Sequence, residues 1–325
     1  MTTRTNTANT AALRIGLAQI APVLLDRSAT LAKVVQRIEE AAARRCRLVA
    51  FGEALVPGYP IWLSRTDGAR FDAADQKALH ALYLDQAVQV EAGHLEEVCR
   101  AAAAGRIAVV LGTIERPADR GGHSLYCSRI YINADGSIGS VHRKLMPTYE
   151  ERLAWAIGDG AGLVTHGLGP FTVGALNCWE NWLPLARAAL YAAGEDLHIA
   201  LWPGSARNTC DITRFIAFES RSFVGSVSCL IREQDVPAGL PHRDRIAPKA
   251  GEIICDGGSC LAGPDGRWLV EPVTDREELI VAELDHARVL EERQNLDPAG
   301  HYSRPDVLRL TVDRRRQATA RFIDE

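Results

Sequence analysis

An α/β fold is expected from three features of the chain. Short apolar runs rich in β-branched residues recur along it, helical patterns lie between several of them, and no Pro/Gly/Ser-rich linker or repeat divides it. Strand and helix in alternation are what helices packed on a partly parallel sheet require. The β-runs and helical patterns come in a definite order. Residues 13–20 form the first β-run, and a helical pattern follows over 28–44. A second strand over 48–51 precedes a long helical stretch over 75–104. Strands are then expected at 107–114, 130–132 and 171–176, a helix at 183–193, a strand at 198–202, a helix at 211–224 and a strand at 226–231. Asn133-Ala134-Asp135-Gly136 and Gly263-Pro264-Asp265-Gly266 are turn sequences between β-rich runs, so antiparallel hairpins should make the sheet mixed. Residues 1–11 read as a flexible start, 12–310 as one domain, and 311–325 as a tail. The run Arg314-Arg315-Arg316 in that tail suits a solvated end or a partner surface.

Composition bounds the function. Apolar residues make up 47% of the 325 and charged residues 24%, enough to bury a sizeable core without metal or disulfide help. A net charge of −4, from 41 acidic and 37 basic residues, offers nothing to attract phosphate or anionic lipid, so neither nucleic acid nor membrane is an expected partner. No stretch reaches the roughly 18–20 apolar residues of a membrane span. The polar opening MTTRTNTANTA lacks the apolar run of a secretory signal, and a cytoplasmic location is expected. Eight cysteines without a Cys-x-x-Cys pair read mostly as buried thiols, with no metal site.

Three segments carry chemistry. Thr172-Val173-Gly174-Ala175-Leu176-Asn177-Cys178 is a β-run that stops at a cysteine before a helix. Sites in α/β sheets gather beyond the carboxyl ends of strands, where backbone N–H groups can face developing negative charge. Cysteine is also among the most often buried residue types, so position alone leaves Cys178 as packing or nucleophile. Leu48-Val49-Ala50-Phe51-Gly52-Glu53 ends the same way in a lone carboxylate, which taken singly reads as a cap or surface group. His142-Arg143-Lys144-Leu145-Met146-Pro147-Thr148-Tyr149-Glu150-Glu151-Arg152 is, taken singly, a charged turn. Together they supply a thiol nucleophile, a carboxylate to take its proton and a cation to stabilise the charge that attack creates.

The arrangement resembles the carbon–nitrogen hydrolases, and within them the nitrilases. Phe51-Gly52-Glu53-Ala54-Leu55-Val56-Pro57-Gly58-Tyr59-Pro60, the Lys144 segment and Asn177-Cys178-Trp179-Glu180-Asn181-Trp182 are similar to that family's signatures and stand in its order. Asp297-Pro298-Ala299-Gly300-His301-Tyr302-Ser303-Arg304-Pro305-Asp306 resembles a stretch of the nitrilase branch. The resemblance implies an α-β-β-α sandwich, with Cys178 as nucleophile, Glu53 as general base, Lys144 as cationic stabiliser and Glu151 as second glutamate. It also implies a homo-oligomer, dimeric or larger and even spiral, with residues 64–85 and 235–258 as subunit-contact insertions. Two departures stand out: Gly52 replaces the usual proline, leaving that turn freer, and Ala156 replaces a glycine after Trp155.

The implied reaction is nitrile hydrolysis to a carboxylic acid and ammonia through a thioimidate and a thioester on Cys178, without metal or organic cofactor. Trp179, Tyr59, Trp62, Trp202 and His142 are candidates for the pocket walls, each equally suited to core packing. His301 reads as structural. The rival readings are an amidase or carbamoylase of the same superfamily, an inactive scaffolding relative, and a thiol redox or metal protein, which the unpaired cysteine spacing serves poorly.

Overall fold

The computed structural model describes residues 12–320 and Ile323; the flexible start expected over 1–11 lies outside them. The chain begins with β1 (Ala12–Gln19), α1 (Arg27–Ala43), β2 (Leu48–Phe51), α2 (Trp62–Arg65), α3 (Ala74–Gln86) and α4 (Glu96–Gly105). Next come β3 (Ala108–Glu115), β4 (Tyr126–Ile132), β5 (Ile138–Arg143), β6 (His166–Leu168), β7 (Phe171–Asn177) and α5 (Pro184–Ala192). The remainder is β8 (Leu197–Trp202), α6 (Ala206–Ser220), β9 (Phe223–Ser228), β10 (Leu230–Ile231), α7 (Arg243–Ile246), β11 (Cys255–Ala262), β12 (Trp268–Thr274), β13 (Glu278–Asp285) and α8 (Ala287–Arg293).

Two mixed sheets result, one ordered β13-β1-β2-β3-β4-β5 and the other β10-β11-β9-β8-β7-β6, with β12 beside β11. Each is parallel at its centre, β1-β2-β3 and β7-β8-β9, and antiparallel outside it. The side-chain period of two builds the layers. Leu13, Ile15, Leu17, Leu48 and Ala50 of the first sheet meet Val173, Ala175, Leu197, Ile199 and Leu201 of the second in one core. The alternate residues Val49 and Phe51 pack outward with Val34 and Ile38 of α1 and with Val98 and Ala102 of α4. On the far side, Ala200 and Trp202 pack with Ile212 and Ile216 of α6, and Leu176 packs with Leu190 of α5. Central strands covered on both faces read as continuous apolar runs, and each fully buried Leu, Ile or Val contributes roughly 1.5–3 kcal/mol. The expected α-β-β-α sandwich follows. Among the described residues no helix is long and apolar enough to cross a membrane.

Where expectation and structure differ, tertiary contacts explain it. The helical stretch 75–104 breaks after Gln86 because Val88 joins the edge of β3, donating to Ile114 O and accepting from Arg116 N. The helix expected over 211–224 starts earlier, at Ala206, and ends at Ser220, where the left-handed backbone of Arg221 releases Phe223 into β9. In the tail, Arg316 is not a solvated end. It donates to Asp159 and to Val141 O, strapping the chain over the loop near residue 159. Arg65 joins the stretches around α2 and α7 by pairing with Glu252 and donating to the carbonyls of Arg245 and Ala247.

Candidate active site

Lys144 and Cys178 directly follow the last residues of β5 and β7, and Glu53 stands two residues beyond the end of β2. The ends of the two sheets meet there. The Glu53 N–H donates to Trp202 O at the end of β8, 3.1 Å away, and the Glu53 carbonyl accepts the Cys229 thiol. Gly52 is not a loose turn. A Cβ on it would lie 2.5 Å from Cys229 Sγ and 2.8 Å from Trp202 O, so glycine is what lets the sheets close at this point. Gly112 on β3 answers the same need, since its Cβ would lie 2.0 Å from Gly52 O.

Lys144 Nζ lies 2.9 Å from Glu53 Oε1 and 2.7 Å from Glu151 Oε2. The sulfur of Cys178 and one carboxylate oxygen each from Glu53 and Glu151 all lie within 4.8 Å of one another, and all three residues are buried. Glu151 is held by its own turn, where Thr148 N donates to Oε2, and by the Tyr59 hydroxyl, which donates to Oε1 at 3.0 Å. The Cys127 thiol donates to Glu53 Oε1 at 3.4 Å, so that oxygen takes both Lys144 and Cys127, while Oε2 has no partner among the described residues. Trp155 lies under the Lys144 ammonium, 5.5 Å from ring centre to Nζ.

Burial sets the proton balance. It pushes the Glu53 carboxyl up to about 7; the Lys144 charge opposes the rise and the Glu151 charge adds to it. Burial also raises the Cys178 thiol well above its ordinary range, again with Glu53 adding and Lys144 opposing, and the Trp179 N–H hydrogen bond favours the thiolate. Burial alone would lower Lys144, but the carboxylates of Glu53 and Glu151 outweigh it and keep the ammonium charged. The resting group is therefore a neutral thiol beside a carboxylate poised near neutrality, the condition under which a carboxylate serves as general base.

Cys178 itself sits at φ +46°, a left-handed backbone that a non-glycine residue adopts at a cost of about 1–2 kcal/mol. The turn after it is tied down by its neighbour. Glu180, fully enclosed, accepts Asn177 N at 3.0 Å, Leu145 N at 2.9 Å and His142 Nε2 at 2.9 Å from both oxygens. Burial would raise this carboxyl, but His142 and the two backbone N–H groups hold it below the usual range. One carboxylate thus joins the residue before Cys178 to the residue after Lys144.

The predicted wall residues divide. Tyr59 touches Glu151, and Trp179 is half exposed on the nucleophile turn, its ring tilted against that of Trp182. His142 is enclosed against Glu180, Trp202 lies between β8 and α6 with its Nε1–H on Ser226, and Trp62 packs edge-on against Tyr83. These three are packing elements around the site. His301 lies at the surface against Tyr302. Sequence reasoning missed Cys127, Trp155 and the clamp through Glu180; only Glu180 stood inside a quoted motif.

Fold and site together are those of a hydrolase acting on carbon–nitrogen bonds, and the chain belongs to the carbon–nitrogen hydrolase family, whose pattern matches residues 14–294. Within that family it falls in the nitrilase branch. It is 34% identical to an aliphatic nitrilase from Rhodococcus rhodochrous over 97% of this chain and 82% of that one. It is 35% identical to an arylacetonitrilase from Aspergillus niger over 93% of this chain and 92% of that one. An amidase from Nesterenkonia sp. AN1 shares the fold, with a TM-score of 0.62 at 18% identity over 90% of this chain and 97% of that one.

Proposed function

We propose that the protein is a nitrilase that converts an organic nitrile to its carboxylic acid and ammonia, with Cys178 as nucleophile. The observation that carries this reading is the buried contact of Lys144 with both Glu53 and Glu151 beside the Cys178 thiol. Glu53 takes the thiol proton as the sulfur attacks the nitrile carbon, and the nitrile nitrogen gains a proton from Lys144 to give a thioimidate. Glu53 returns its proton to Lys144 and then accepts one from a water that adds to the same carbon. The nitrogen takes that proton from Glu53 and a second from the new hydroxyl, and leaves as ammonia while the hydroxyl oxygen becomes the thioester carbonyl. Glu53 then deprotonates a second water, which adds to the thioester, and passes the proton to the departing sulfur, freeing the acid and the thiol. The Trp179 N–H stabilises negative charge in the acyl steps. The cycle uses no metal or organic cofactor.

The test is ammonia release by the purified protein from matched aliphatic and arylacetic nitriles and their amides, with Cys178→Ala and Cys178→Ser as controls. Nitrile turnover that both substitutions abolish supports the reading. Turnover of amides alone makes the protein an amidase, and no turnover of either makes it an inactive relative.

The working unit we propose is one catalytic domain over 12–310 with a tail, cytoplasmic and homo-oligomeric. An exposed aromatic face supports oligomerisation: Trp182 stacks on Phe215, and Leu185 and Phe218 stand out beside them.

A further inference from the structure

Cys178 is held in a left-handed conformation that nothing in its own side chain enforces, so the surrounding structure must impose it. We propose that Glu195, His198 and Asn181 form a buried hydrogen-bonded chain that holds the Cys178 backbone in this conformation and so directs its sulfur towards Glu53. The inference rests on Cys178 being the nucleophile. Asn181 Nδ2 donates to Cys178 O at 2.8 Å and to Leu176 O at 3.3 Å, spending both amide protons on carbonyls that flank the bend. Its Oδ1 must therefore accept, and His198 Nε2, 2.7 Å away, must be the donor. On the other side of the ring, His198 Nδ1 lies 2.8 Å from Glu195 Oε1, which fixes the ring's orientation. All three side chains are fully enclosed.

The sheet is built to admit them. His198 on β8 pairs across to Gly174 on β7, where a Cβ would lie 1.9 Å from Glu195 Oε1. Both ends of the chain are anchored: Arg293 of α8 donates to Glu195 O, and Arg187 of α5 donates to Asn181 O. Apolar side chains would fill this space without burying three polar groups, and buried polar chains are costly unless every link is made. Among the hydrogen bonds and ion pairs of Glu195, His198 and Asn181, none goes to Glu53, Lys144 or Glu151. They act through the backbone of Cys178, as positioning residues.

Two near-isosteres separate positioning from bulk stability. In His198→Gln the amide nitrogen takes the place of Nε2 and keeps the donor to Asn181, whereas in His198→Asn it takes the place of Nδ1 and loses that donor. The measurement is the rate of iodoacetamide labelling at Cys178, mapped by peptide mass spectrometry, with melting temperature followed in parallel and kcat and KM measured on a nitrile. We expect His198→Asn and Asn181→Asp to label at least about tenfold more slowly, the loss of one well-made hydrogen bond, with kcat falling and KM holding. His198→Gln should stay within about threefold of the parent at a similar melting temperature. Equal rates in His198→Gln and His198→Asn, or rates that simply follow melting temperature, overturn the inference while leaving Cys178 as nucleophile. If Cys178 of the parent labels no faster than the other cysteines, the nucleophile reading fails, and the inference falls with it.

Discussion

Glu53 is where pH enters the chemistry. Its carboxyl is raised by burial from 4.5 to about 7, and it must be ionised to accept the thiol proton. Activity should therefore rise with pH through an acidic limb centred near 7, read as kcat/KM on any turned-over nitrile. The same shift acts on stability with the opposite sign. Between about 4.5 and 7 the folded protein holds a proton on Glu53 that the unfolded chain has released, so this group's contribution to stability falls as pH rises across that window. Glu53→Gln does not titrate. Its melting temperature minus that of the parent should become more positive from pH 5 to pH 7.5, and a flat difference would refute the raised carboxyl. At Glu180, replacement by Gln points an amide N–H at a backbone N–H of Leu145 or Asn177. We expect kcat to fall about tenfold or more with the fold retained, checked by kinetics alongside circular dichroism. The sequence marked Glu53, Lys144, Cys178 and Glu151 because each stands in a short, ordered motif. Cys127 and Trp155 meet them only through folding, and no local pattern announces such contacts.

Strand ends, not strand bodies, build the site, and the packing between them leaves little room. Gly52→Ala would place a Cβ against two backbone atoms, Trp202 O and Cys229 N, neither of which can rotate away. The expected result is a loss of about 1–3 kcal/mol in denaturant unfolding, with impaired turnover because Glu53 is displaced. Retention of full stability would mean that the ends of β2 and β8 are looser than described. The parallel strands β1, β2, β3, β7 and β8 were legible as apolar runs because both their faces are covered. The edge strands β5 and β12 were legible only through the turn sequences before them, which announced hairpins without bounding their second strands. β5 and β12 are half exposed, so their residues alternate with polar ones and carry turns close by. The break between α3 and α4 was equally hidden, since it depends on Val88 finding the edge of β3.

The whole molecule leaves an aromatic face, Trp182, Phe215 and Phe218, uncovered close to the nucleophile turn. If this face joins subunits, light scattering should give a multiple of 35.4 kDa for the parent, and Phe218→Glu or Leu185→Glu should lower it. Equal masses would remove this face from the interface. The sandwich was foreseen through resemblance; the alternation of elements alone reached only a mixed α/β fold, since nothing in local sequence says that strands divide between two sheets. The central claim is that carbon–nitrogen bond cleavage passes through a covalent bond to Cys178. Acid quenching of the protein during turnover of a nitrile, followed by intact mass and peptide mapping, tests it directly. The account predicts an acyl or thioimidate adduct on the Cys178 peptide, absent in Cys178→Ala. An adduct on another residue, or turnover that survives in Cys178→Ala, would contradict it.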